Sequence, residues 1–152
     1  MKPKAFIETV LVNEIKDVVE RHPYLSFLLI SVGIEFLGKC MMTDKQKWNE
    51  IKAEKAFKLG MELIYAVNPE YKKLNLKSEL RDGFAHTFLP KSKIALSQAS
   101  HGIKNFQRNL QLQTVLVAET FYEDFASACK TVIQTNFPEN DKMNKDFIYI
   151  GP

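Results

Sequence analysis

The stretch SELRDGFAHTFLPKSK, residues 78 to 93, carries an arginine and a histidine, Arg81 and His86, with four residues between them and Asp82 directly after the arginine. Histidine is the side chain that gains and loses a proton near neutral pH, which makes it the natural proton carrier. A guanidinium is planar and permanently charged, and it holds a phosphate through two parallel hydrogen bonds. A carboxylate next to either group can orient it. The chemistry on offer is proton transfer beside an anion clamp.

Those groups need an element that presents them together. Leu76, Leu80, Phe84 and Phe88 recur every fourth residue and predict one apolar stripe on a helix over Leu76 to Phe88, with Asn75 as its cap. With Leu80 at zero and about 100° per residue, Arg81 falls near 100°, Ala85 near 140°, Asp82 near 200° and His86 near 240°. The apolar stripe and the polar group therefore face opposite ways. Arg81 and His86 flank an arc of about 140° occupied by the small Ala85 and by Asp82.

The pattern R-D-x-x-x-H, Arg81 to His86, resembles the R-x(4–6)-H signature of the HEPN superfamily, small all-helical domains that are often dimeric. Many of them are metal-independent RNases of toxin–antitoxin or defence systems. The resemblance implies one HEPN-like domain over residues 1 to 152. It also implies an RNA partner, a homodimer whose two motifs share a cleft, and an antitoxin or other protein partner. An endoribonuclease of this kind uses the RNA's own 2′-hydroxyl against the adjacent phosphate. His86 would carry the proton, Arg81 would hold the charge growing on the phosphate oxygens, and Asp82 would orient one of them. No metal or cofactor is expected.

Charge distribution adds to this. The chain has 21 Lys and Arg against 18 Asp and Glu, too even a balance to indicate nucleic acid by itself. From Gly83 to Ala118, however, there is no acid, while Lys91, Lys93, Lys104 and Arg108 all lie there. Those four are the candidate nucleic-acid contacts, with Phe106 as a stacking face.

The remaining pattern predicts a mainly α fold, a bundle of about five helices with a small β-hairpin insertion at residues 93 to 117. Helix one is expected from Lys4 to Arg21, with Ile7, Leu11, Ile15, Val18 and Val19 inward. His22-Pro23 breaks it, and helix two runs to about Met42. TDKQ at 43 to 46 reads as a capping box that opens helix three, Asp44 to Val67. KIALSQAS and LQLQTVLV alternate like strands, with a turn in HGIKN. Helix five begins near Ala118 and buries Phe121, Phe125, Ala128 and Val132. The tail FPENDKMNKDFIYIGP reads as a loop with a short extended end.

The N-terminus carries acids every few residues and does not read as a signal peptide. Residues 24 to 42 are about one membrane span long, but Glu35 and Lys39 inside them favour a buried bundle helix over a membrane segment. Cys40 and Cys129 are far apart in sequence and read as reduced, buried thiols of a cytoplasmic protein. A structural reading stands beside the chemical one. Arg81 can pair with Glu35 or Glu79, His86 can cap its own helix, and Glu35 can pair with Lys39. The chain is then a non-catalytic interaction or dimerisation module. His22 and His101 read as surface or turn residues.

Overall fold

A computed structural model describes residues 1–43, 46–135 and 141–147. It is a helical bundle with a small two-stranded insertion. Helix α1 is a continuous run of Pro3–Phe6, a wider π-helical stretch Ile7–Glu14, and Ile15–Arg21. Its buried residues Ile7, Leu11, Ile15 and Val19 are spaced strictly by four. That spacing overshoots a 3.6-residue turn. The wider turns absorb the overshoot, so all four stay on one face.

The chain breaks at His22 (φ −141°, ψ 61°) and restarts at Pro23 as α2, Pro23–Cys40. This helix buries Phe27, Ile30, Ile34 and Leu37 at the centre of the bundle. It is long and apolar enough to cross a membrane by length and composition, and half of it is packed inside the fold. Helix α3, Ala53–Val67, crosses it at close range. A Cβ at Gly38 would lie 1.7 Å from the Ala56 carbonyl oxygen, and one at Gly60 would lie 1.9 Å from that of Ile34. Only glycine allows the two backbones this approach.

Helix α3 starts later than the expected Asp44. A 3-10 turn, Trp48–Glu50, precedes it, and the Glu50 carboxylate accepts from the Lys47 backbone N–H at 3.0 Å. Trp48 packs on Phe36 and Phe147, and Ile51 is buried from an extended backbone. Both apolar positions are thus satisfied without a helix. Asp44 and Lys45, at the expected capping box, lie outside the described residues, as does the extended end expected after Phe147.

Helix α4 combines a π-helical Lys77–Arg81 with Asp82–Thr87. Asn75 caps it, its Oδ1 accepting from the Ser78 N–H at 3.1 Å. Leu76, Leu80 and Phe84 are buried, again on a spacing of four with a widened turn between them. Phe88 leaves the expected stripe: it ends the helix at φ 60°, is 56 % exposed, and its carbonyl accepts from the Tyr24 hydroxyl at 2.7 Å.

Strands β1, Ile94–Ser97, and β2, Thr114–Val117, form where alternation predicted strands. They pair in parallel, Ile94 against Thr114 through Ser97 against Val117, and not as a hairpin. The connection between them is long enough for a crossover, which a parallel pair requires. It holds the 3-10 turn Ala99–His101, closed by Gly102 at φ 69°, so HGIKN does contain a turn. The tight reversal comes later. Asn109 Oδ1 accepts from the N–H groups of Gln111 and Gln113, and residues 106–108 return antiparallel beside β2. Helix α5, Ala118–Gln134, buries Phe121, Phe125, Ala128 and Val132 as expected. One continuous buried cluster draws on all five helices and both strands.

Candidate functional site

Helix α4 lies against α2 through its first half, which sets what the motif residues meet. Arg81 Nη2 donates to Glu35 Oε2 at 2.9 Å, and Nη1 donates to Asp82 Oδ1 at 3.1 Å. Asp82 Oδ2 also accepts from Lys77 Nζ at 3.1 Å, and Lys39 Nζ stands 3.9 Å from Glu35 Oε1. The result is an alternating chain of charges, Lys39, Glu35, Arg81, Asp82 and Lys77. Burial works against the charge on Arg81, but Glu35 and then Asp82 outweigh it and hold the guanidinium protonated more firmly than usual. Burial likewise opposes ionisation of Asp82, yet hydrogen bonds from Lys77 and Arg81 pull its carboxyl below the usual carboxylate range.

Arg81 and Asp82 are thus brought together, on the structural pairing with Glu35 that the sequence allowed. His86 is not part of that network. It lies exposed one and a half turns further along α4, with no hydrogen bond or ion pair among the described residues. The glycine between them serves packing. A Cβ at Gly83 would meet the Leu89 carbonyl oxygen at 2.4 Å, because the chain after α4 folds back over this point. The Lys91 N–H then donates to the Glu79 carbonyl at 2.7 Å, and the Lys93 N–H to the Glu79 carboxylate at 3.1 Å.

That return fixes the basic residues. Lys91, Lys93, Lys104 and Arg108 are all exposed, and none forms an ion pair among the described residues. Lys91 Nζ donates to Ser78 Oγ at 3.1 Å. The Lys93 carbonyl accepts from the Thr114 N–H at 3.0 Å, while Arg108 bridges Thr114 from the other side. Lys93 and Arg108 therefore flank the start of β2. Lys104 sits further along the connection. Phe106 is not a free stacking face. Its ring packs edge-on against buried Tyr71 at 4.7 Å, from a backbone at φ 63°.

Basic residues that the acid-free window does not include lie nearby. Pro69–Lys73 forms a 3-10 turn after α3, and the run YKKLNLK, residues 71 to 77, supplies Lys72, Lys73 and Lys77. With Lys58 of α3 they rim a cleft of about 550 Å³. The signal was three lysines within six residues, masked by acids on either side.

His101 is a turn residue, as its place in the sequence suggested. Its Nδ1 lies 3.1 Å from Ser97 Oγ and its Nε2 lies 3.2 Å from the Gln98 amide. Cys40 and Cys129 are buried and unbridged, and burial pushes the Cys40 thiol up to about 12 and that of Cys129 higher. Among the described residues no group of three His, Cys, Asp or Glu side chains is placed to hold a metal ion. Compared with known proteins, the chain matches no family model, no curated protein and no solved structure.

Proposed function

We propose that this chain is an RNA-binding helical domain of HEPN-like layout. One observation carries the reading: Lys93 and Arg108 flank the start of β2 as exposed cations with no ion pair among the described residues, in a segment from Gly83 to Ala118 that holds no acid. Such a corner attracts a phosphate backbone, with Lys91 and Lys104 extending it. Affinity then comes from phosphates and not from base edges.

Cleavage is the further step of this proposal. His86 takes the proton of an RNA 2′-hydroxyl, the 2′ oxygen bonds to the adjacent phosphorus, and the bond to the 5′ oxygen breaks. The same imidazole returns the proton to the departing 5′ oxygen, leaving a 2′,3′-cyclic phosphate. Arg81 would clamp the phosphate, exchanging Glu35 or Asp82 for it as the RNA arrives. A second copy presenting its own motif would complete the cleft, and an antitoxin-like partner would mask it.

The test joins binding to cleavage. The purified protein is expected to bind single-stranded RNA, and Lys93→Glu with Arg108→Glu to weaken that binding roughly tenfold or more. In EDTA, cleavage that His86→Ala abolishes supports the endoribonuclease. Binding without cleavage leaves the RNA-binding domain and removes the enzyme. Failure of the wild type to bind RNA removes both.

A second reading, a non-catalytic interaction or dimerisation module, has its own support. Arg81 is already neutralised by two carboxylates, and α2 exposes Leu25, Leu29 and Val32 along one side. Under that reading, substitutions on that side of α2 alter self-association and leave RNA affinity unchanged.

A further inference from the structure

A cleft of about 550 Å³ lies where α3 meets the chain entering α4, away from His86. Its floor is apolar: Phe57, Met61 and Leu76 are each nearly inaccessible, and Leu74 completes it. Tyr65 stands half-buried at one side, with Lys72 Nζ 5.8 Å from its ring centre. Lys58 and Lys72 form no ion pair among the described residues, whereas Lys73 is held by Glu70 and Lys77 by Asp82. Glu54 and Glu62 also lie at the mouth, so cations outnumber acids four to two in the lining.

An apolar floor with a few cations at the rim suits a ligand with a flat ring and an anionic group. At about 550 Å³ the cleft has room for one such ring and its sugar. Position adds a second argument. Lys73 and Leu74 are shared with a neighbouring cleft of about 260 Å³, lined also by Glu70, Phe106, Arg108 and Thr114. The two hollows therefore adjoin across one short segment. A strand whose phosphates sit at Lys93 and Arg108 would reach the larger cleft by crossing Lys73.

We propose that this larger cleft receives a single unstacked base of single-stranded RNA, with the neighbouring phosphates on Lys58 and Lys72. The inference rests on the RNA-binding reading and names the form of RNA bound. A duplex keeps its bases stacked inside and offers no ring to the floor, whereas a single strand does.

Three labelled probes test it by fluorescence anisotropy: a single-stranded RNA oligonucleotide, its duplex, and the same strand with abasic sites. The wild type is expected to bind the intact strand roughly tenfold more tightly than the abasic strand, and the duplex more weakly. Tyr65→Leu with Lys72→Glu, shown by circular dichroism to remain folded, is expected to bind the intact and abasic strands alike. Equal binding of the intact and abasic strands by the wild type overturns the cleft. So does a Tyr65→Leu, Lys72→Glu protein that keeps the wild-type preference. In both cases RNA binding lost in Lys93→Glu with Arg108→Glu leaves the wider reading intact. No RNA binding by the wild type overturns the two together.

Discussion

Arg81 Nη2 lies 2.9 Å from Glu35 Oε2, so the motif arginine of α4 is tied to the only acid of α2. The pair is partly exposed, with side-chain accessibilities of 27 % and 15 %. Its worth therefore lies between a surface and a buried ion pair.

Removing the acid should loosen that tie. Glu35→Gln is expected to cost about 1–2 kcal/mol, because Asp82 is then the only ionic partner of Arg81 among the described residues. Urea unfolding would show a lower midpoint with unchanged slope. A coupling near zero in the Glu35, Arg81 double-mutant cycle would contradict the structural role.

Acid should weaken the same network from the other end. The folded-state pKa of Asp82 is depressed by Lys77 and Arg81. Its contribution is therefore fully present above the unfolded carboxylate value, about 3.9, and is lost as pH falls through the lower folded value. Below about pH 4 the wild type should lose stability more steeply than Asp82→Asn. Parallel pH profiles for the two proteins would count against the pairing.

Helix crossing makes a sharper claim. Gly60→Ala would set a methyl group against the Ile34 carbonyl oxygen, and backbone cannot yield as a flexible side chain does. The expected cost is about 1–3 kcal/mol or more, with loss of soluble folded protein as the extreme. Thermal unfolding measures it, and an unchanged midpoint would mean that α2 and α3 do not cross there.

The thiols should be silent in the native state. Burial raises both Cys40 and Cys129, and a thiol rather than a thiolate reacts slowly. A chromogenic disulfide reagent is expected to label neither within minutes in buffer and both in denaturant. Fast labelling of the native protein would show that α2 and α5 do not enclose them.

The apolar stripes of α1, α4 and α5 were legible because burial writes a period into the sequence, and α2 was legible as a buried helix because it is apolar around most of its circumference. The widened turns were not, although strict spacing by four at Ile7, Leu11, Ile15 and Val19 is a trace of one. Alternation at Ile94–Ser97 and Thr114–Val117 marked strands, but alternation does not encode the direction of the partner. Glu35 in an apolar helix signals a buried partner, and Arg81 is one that the sequence allows. The start of α3 at Ala53 was not legible, because Trp48 and Ile51 carry helical spacing while packing from a turn and an extended segment. Lys58 and Lys72 were not legible as one site because only the fold brings α3 and the later turn to one cleft.

The salt dependence of single-stranded RNA binding is the decisive measurement of phosphate contact at Lys93 and Arg108. Each phosphate contact on a single strand adds about 0.7 to the slope of log affinity against log salt. Lys93→Gln with Arg108→Gln is expected to flatten the wild-type slope by roughly 1 to 1.5. A wild type that binds no RNA, or a double variant with the wild-type slope, would contradict the account.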